Sequence, residues 1–350
     1  MAPTGQVRLL LLSSDLRRRY AEDILTALAL PADSLIQFRY GSDYVVPALQ
    51  RLVANGSIVG AMATLAFVAD ADTDEPFVVP ARFASVVSAT CIADIFTFKL
   101  RVGPYINLDQ YPRKRDGIVK SSRTFLDNLI ATNGSFYPAV SNFPDLGINE
   151  ALDSATQWLG AARRLSLHKT FSRAYFVRIE VPVTQGGKSL NFNDDGRLAV
   201  VDQESVRIPV SFYSEKYEPA AEPVLFCSTD GTFIRISSDD TYEVALRYDS
   251  VEFWLHPGVL TFDTLSRVTI ALTSQSGYTG FVSTHARFPV IVRRSRSRLA
   301  TRLLTSAGGA LLIALPAILG TGAPLGLRIA CAVIGAALLA AATVLLNSAK

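Results

Sequence analysis

The stretch Tyr175-Phe176-Val177-Arg178-Ile179-Glu180-Val181-Pro182-Val183 decides the reading of this chain. Tyr175, Val177, Ile179, Val181 and Val183 alternate with Phe176, Arg178, Glu180 and Pro182. A period of two is the signature of a strand with one face turned to a core. The same beat returns at Tyr242, Val244, Leu246 and Tyr248, and again at Val268, Ile270 and Leu272. Turn-forming clusters separate these runs: Gln185–Gly187, Asn193–Gly196, Ser237–Asp240 and Gln275–Gly277. Short alternating strands punctuated in this way predict an antiparallel β-sandwich over residues 166–293.

Upstream the pattern is mixed. Val7–Leu12 reads as a buried strand, followed by a helix capped by Ser14 or Asp15, with Leu16, Tyr20, Ile24 and Leu28 on one face. Pro31 ends it. Leu35–Tyr40, Ile58–Val68, Phe77–Val79 and Phe83–Val102 read as further strands or a hairpin. Tyr111–Lys120 is basic and turn-rich. Phe125, Leu126, Leu129 and Ile130 then show helical spacing, closed by Asn133-Gly134. Asn149 is placed to cap a second helix striped by Leu152, Ala155, Leu159, Ala162 and Leu165. Residues 1–165 are therefore expected to form a mixed α/β unit, which makes the soluble part α+β with a β-rich second domain.

Downstream the composition changes again. Arg293, Arg294, Arg296, Arg298 and Arg302 precede two uncharged apolar runs, 303–319 and 329–346. At ~1.5 Å per residue these runs cover roughly 25–27 Å, close to a hydrocarbon core of ~30 Å. They predict a C-terminal two-helix transmembrane hairpin following the basic juxtamembrane segment 294–302. Both are apolar all round, where a soluble helix would carry a polar stripe. The arginines are expected at anionic headgroups on the cytoplasmic side, since only Arg328 lies between the runs. Ala332, Ala336 and Ala340 have the spacing that permits close helix contact. No signal-peptide pattern opens the sequence, because Leu9–Leu12 is too short and charge follows at once. The expected location is a two-pass membrane protein with both termini cytoplasmic.

The 350 residues carry a formal net charge of +3, too little to imply nucleic-acid binding. Cys91, Cys227 and Cys331 lie outside any zinc spacing and suit buried thiols in a reducing compartment. Gly186-Gly187-Lys188-Ser189 resembles the end of a phosphate-binding loop, but Pro182 stands where that loop needs glycine, so a hairpin turn is expected. Asp70, Asp72 and Asp74 match three ligand positions of an EF-hand loop; Glu75 and Ala81 break the rest of the motif. Ser166-x-x-Lys169 lacks the partner motifs of the enzymes that use it. His168, His256 and His285 are far apart.

One cluster points to a ligand. Phe38, Arg39, Tyr40, Asp43 and Tyr44 place aromatics beside charges at a strand edge, a surface that can stack a base or hold a peptide. No catalytic residue, metal site or cofactor is expected. The function expected is a membrane-anchored cytoplasmic protein that binds or senses a ligand. The alternatives are a membrane-perturbing effector that clusters its hairpins, and a membrane-tethered enzyme without a recognisable motif. The partners expected are the bilayer and a protein partner or second copy met through the helices.

Overall fold

The computed structural model describes residues 7–141, 149–150, 154–231, 233–237, 240–260, 262–276, 282–295, 304, 306–315 and 324–347. It is a mixed α/β structure dominated by curled sheets.

The first sheet is built from β1 (Arg8–Ser14), β2 (Leu35–Gly41), β3 (Met62–Ala69), β4 (Phe77–Ile92), β5 (Ile95–Asn107), β6 (Ala139–Ser141) and β7 (Asn149–Glu150). Its order is β2-β5-β4-β3-β1-β6, with β7 added on β5. β1 and β3 run parallel, Arg8 opposite Met62 through Ser14 opposite Val68. The sheet curls until the chain after β2 meets β6, where Val45 bridges Ala139. β4 and β5 form one long hairpin, as one of the two readings of Phe83–Val102 has it, but Phe77–Val79 belongs to β4 and is not a separate strand. The Ala93-Asp94 turn has φ of 49° and 60°, and Ile92 pairs with Ile95. Two left-handed turn residues match the twist of the flanking strands.

Four helices pack around this sheet or beside it: α1 (Arg18–Ala29), α2 (Pro47–Ala54), α3 (Arg115–Asn133) and α4 (Ala155–Leu165). Three helix starts differ from the sequence expectation. α1 begins after Arg17, with no side-chain cap from Ser14 or Asp15, and Leu16 is exposed. α3 begins at Arg115, so half of the supposed basic loop is helical; Gly117 permits this because a Cβ there would sit 2.9 Å from Pro112. α4 is capped by Ser154, whose hydroxyl accepts from the Gln157 N–H, while Asn149 lies in β7. Gly134 closes α3 at φ 77°, as its sequence predicts.

The second half is a two-sheet sandwich. One sheet orders β13-β15-β11-β8 with β9 on β11, and the other β10-β17-β16-β12-β14. The strands are β8 (Phe176–Ile179), β9 (Val183–Thr184), β10 (Leu198–Val201), β11 (Val206–Tyr213), β12 (Pro223–Thr229), β13 (Ile234–Ile236), β14 (Thr241–Glu243), β15 (Tyr248–Pro257), β16 (Thr264–Ser274) and β17 (Thr284–Arg293). Ile208, Val210, Phe212, Phe253 and Leu255 face Leu225, Ile270, Leu272, Phe288 and Val290 across the core. Two corrections apply. β10 pairs with β17 in parallel, so the sandwich is not wholly antiparallel. Residues 242–248 are not one strand: β14 ends at Glu243, and Leu246 and Tyr248 are exposed. The glycines at 186–187 form the expected turn, with Gly187 at φ 82° donating to the Thr184 carbonyl.

α1 lies between the two cores. Ile24, Leu25 and Leu28 belong to the first, and Ala29 and Leu30 to the second. Arg82 is fully buried at the C-terminal end of α1. Its guanidinium donates to the carbonyls of Ala27, Leu30 and Gly103 and stacks 4.1 Å over the Tyr105 ring. A cation at the negative end of the helix dipole satisfies carbonyls that the helix leaves unpaired.

At the C-terminus, residues 306–315 form helix α5 and Leu325–Asn347 form α6. They pack together through glycine. A Cβ on Gly335 would lie 2.8 Å from both the Gly309 carbonyl and Ile313. Cys331 and Gly335 are buried there, whereas Ala332, Ala336 and Ala340, the expected contact face, are exposed. Arg328 falls inside α6 rather than in the connecting loop. The side chains of 341–347 lie outside the described residues. Among the described residues no helix is long and apolar enough to cross a membrane. The membrane crossing expected of 303–319 and 329–346 thus rests on the sequence. Cys227 is buried as expected, but Cys91 is exposed near the tip of the β4–β5 hairpin.

Candidate functional site

A cleft of about 850 Å³ opens at one end of the first sheet. It lies beyond the C-terminal ends of the parallel strands β1 and β3, where the chain turns from β1 into α1 and from β3 into the acidic loop. β1 leads there into a helix, while β3 turns back through the acidic loop into its neighbour β4, and the two departures leave the cleft between them. Ser13, Ser14, Asp15 and Arg17 come from the first turn, and Tyr20 and Asp23 from α1. Asp70, Asp72 and Thr73 come from the second turn, and Phe136 and Pro138 from the approach to β6.

All five residues of the aromatic cluster border this cleft: Phe38, Arg39, Tyr40, Asp43 and Tyr44. Their roles divide. Phe38 and Tyr40 are buried, with ring centroids 6.5 Å apart, and Tyr40 meets Phe98 edge-on at 6.0 Å. The Tyr40 hydroxyl donates to the Leu12 carbonyl at 3.1 Å. Burial, with the Asp23 charge second, holds its pKa above the ordinary tyrosine value. These two rings build the wall and are not free platforms for a base. Tyr44, 54% exposed, is the aromatic with an open face. Arg39 and Asp43 are exposed beside it. Of the arginines expected at a membrane, Arg293 ends β17, and the Arg294 N–H donates to Asp263 at 2.9 Å. Arg296, Arg298 and Arg302 lie outside the described residues.

Asp70, at the edge of this cleft, is held from behind by His168 and Lys169, which line a neighbouring depression rather than the cleft itself and which the sequence does not bring together with it. Asp70 follows β3 in a left-handed conformation, φ 50°. Its Oδ2 accepts from His168 Nε2 at 3.0 Å and its Oδ1 from Lys169 Nζ at 3.1 Å. His168 is 1% exposed, with its ring 5.1 Å from Phe77 and 5.7 Å from Phe67. Its Nδ1 accepts the Thr170 N–H at 3.3 Å, which leaves the ring proton on Nε2, facing Asp70. The hydrogen bond from His168 is the main force that lowers the Asp70 pKa, and Lys169 adds to it against partial burial. Asp23, inside the cleft, moves the other way: burial pushes it up to about 6 despite the nearby Arg19.

Asp15, Asp70 and His168 each offer a ligand atom within 4.8 Å of the others. The side chain of Asp74 instead pairs with Arg123, and Glu75 pairs with Arg115 at 2.6 Å. The Asp70-Asp72-Asp74 series therefore does not converge on one point. Near Asp15, the Ser13 hydroxyl is buried and has no hydrogen-bond partner among the described residues. Asp70 and His168 stand 98 residues apart, so only the odd acidic spacing and the isolated His168-Lys169 pair hinted at either.

No family model matches the chain. No curated protein matches it either. Among solved structures it is similar to the periplasmic chaperone SfaE, at 10% identity over 29% of this chain and 56% of that one, with a TM-score of 0.21. It is similar likewise to the E. coli chaperone DraB, at 8% identity over 28% and 52%, also with a TM-score of 0.21. The match spans about half the length of each chaperone. Likeness at that level carries no argument about this chain.

Proposed function

We propose that this is a membrane-anchored binding protein whose first unit captures a compact ligand in the cleft above β1 and β3. One observation carries the reading. Four segments far apart in sequence converge on a single cleft that holds five carboxylates, two guanidinium groups, an open tyrosine face and a buried hydroxyl with no partner among the described residues. A few polar groups converging in a concavity walled by buried aromatics is the usual form of a small-molecule site. The charge balance favours a ligand that presents positive charge or hydrogen-bond donors to the acidic side, with a flat group against Tyr44.

Anchoring is supported by the sequence of the two C-terminal runs and by their exposed faces. Leu311, Ile329, Val333 and Ile334 are between 52% and 61% exposed. An unbroken apolar surface of this kind needs lipid or protein to cover it. The five arginines then sit at the cytoplasmic headgroups, with both termini on that side.

The test is a thermal-shift and calorimetric screen of nucleotides, amines and short peptides on the full chain in detergent. A ligand should bind the native protein and lose at least about tenfold in affinity in Arg39→Ala and Tyr44→Ala. Ligands insensitive to both changes would overturn the assignment of this cleft.

The effector alternative draws on the same apolar faces. The Gly309–Gly335 contact lies within one chain and leaves Leu311, Val333 and Ile334 available to further copies. Ligand binding would then control clustering rather than report through a partner.

A further inference from the structure

We infer that the floor of this cleft binds a hard divalent cation of the Mg²⁺, Mn²⁺ or Ca²⁺ class between the carboxylates of Asp15 and Asp70. The inference rests on the reading of the cleft as a binding site and names one component of what it binds.

The geometry begins with spacing. Carboxylate oxygens of Asp15 and Asp70 lie within 4.8 Å of each other, a separation one ion spans at oxygen–metal distances of about 2.1–2.4 Å. The approach is open to the cleft, so water or a ligand's own oxygens can complete six or more positions.

The second observation is independent of the acids. Ser13 lies two residues before Asp15 on the same wall. It is 2% exposed, and its Oγ has no hydrogen-bond partner among the described residues. A buried hydroxyl left unpaired is destabilising, so native structures rarely leave one without a partner. A cation with its water shell at this position gives that oxygen a partner.

The donor set decides the class of ion. His168 is within ligand distance, but its Nδ1 accepts the Thr170 N–H, so Nε2 carries the proton and has no lone pair to offer. It serves as a positioning residue that turns the Asp70 carboxylate and fixes its charge, as outer partners of metal ligands do. An all-oxygen set suits Mg²⁺, Mn²⁺ and Ca²⁺ and disfavours Zn²⁺. Lys169, 74% exposed on its side chain, is the resident cation at Asp70 Oδ1, and it is free to swing out to solvent when the ion enters.

The test uses the full chain in detergent, with Mn²⁺ followed by electron paramagnetic resonance and calorimetry, and with Mg²⁺ and Ca²⁺ as competitors. One Mn²⁺ per chain is expected. Asp15→Asn and Asp70→Asn should each weaken binding by about 10- to 100-fold, and Ser13→Ala several-fold. Lys169→Ala should strengthen it by removing the competing ammonium. Asp15→Asn is the arm that keeps the test decisive, because Asp15 makes none of the contacts that pin the acidic loop; circular dichroism checks that each variant is folded. Absent Mn²⁺ binding, or binding unchanged in Asp15→Asn, would overturn the inference. So would a preference for Zn²⁺ that depends on His168. If the cation fails while a ligand sensitive to Arg39→Ala and Tyr44→Ala still binds, only the cation falls. If Mn²⁺ binds as described but no ligand responds to those two changes, the small-molecule reading falls and the ion site stands.

Discussion

Asp23 is where acidity and burial meet. An unfolded chain releases this proton near 3.8, and the native state holds it to about 6. Between those values the native state binds the extra proton, so stability falls as pH rises through that window. Because the group keeps some contact with solvent, the loss is about 1–2 kcal/mol. Asp23→Asn should flatten the profile of unfolding free energy between pH 4 and 6, measured by urea denaturation. A profile unchanged by the substitution would place the titration elsewhere. His168 makes a contrasting case. His168→Ala removes a ring packed on Phe67 and Phe77 together with the bond to Asp70, and should cost about 2–4 kcal/mol. Lys169→Ala, on an exposed ammonium of the same carboxylate, should cost less than about 1 kcal/mol. Equal losses from the two would show that the ring is not the anchor of the 70–75 loop.

At the scale of elements, the β4–β5 turn forces Ala93 and Asp94 into left-handed backbone that neither prefers. Replacing the pair by Asn-Gly should stabilise the protein by about 0.5–1 kcal/mol, read as a higher melting temperature. A fall would mean that the Asp94 carbonyl bond to the Ser42 N–H had been disturbed. A hairpin was one reading of Phe83–Val102, but the place of its turn was not legible, since neither Ala93 nor Asp94 marks one by composition. The start of α3 was hidden for a related reason. Arginines and lysines sit on solvent faces of helices as readily as in loops, and only the packing of Ile118 and Ser122 shows that the segment is helical. The C-terminal pair gives the third element-scale prediction. Gly335→Leu should separate α5 from α6, because its side chain meets backbone at Gly309, whereas Ala336→Leu on the exposed face should be tolerated. Protease protection and thermal stability in detergent would distinguish the two, and equal sensitivity would argue against the glycine contact.

Across the whole molecule, the two cores meet at α1 and at the turn bearing Gly196. That glycine has φ 67°, and a Cβ on it would come 2.2 Å from Leu35 of β2. A side chain there would have to displace Leu35 and would be strained by the positive φ. Gly196→Val should therefore lower cooperativity as well as stability, and a single sharp unfolding transition in that variant would contradict tight coupling. Anchoring is tested at the same scale. Reporters active only outside the cytoplasm should be silent at both termini and active at residues 320–324. Exchanging residues 303–346 for an unrelated hairpin should preserve ligand binding and localisation under the anchor reading. Loss of function with normal expression would favour the effector instead.

The sequence by itself determined the elements whose signal is local. The period of two named the sandwich strands, the Asn133-Gly134 pair ended α3, and the glycines after Thr184 made a turn, because each depends on neighbours within a few residues. It also placed Phe38 through Tyr44 at a strand edge. The tertiary structure decided what no local pattern encodes: the parallel pairing of β10 with β17, the closing of the first sheet at Val45 and Ala139, and the inward turn of Phe38 and Tyr40. It also decided the site. Asp15, Asp70 and His168 become neighbours only because β1 and β3 lie side by side and the chain after α4 returns across their ends. Burial, which raises the pKa of Asp23, is a property of that enclosure and of no single stretch of chain.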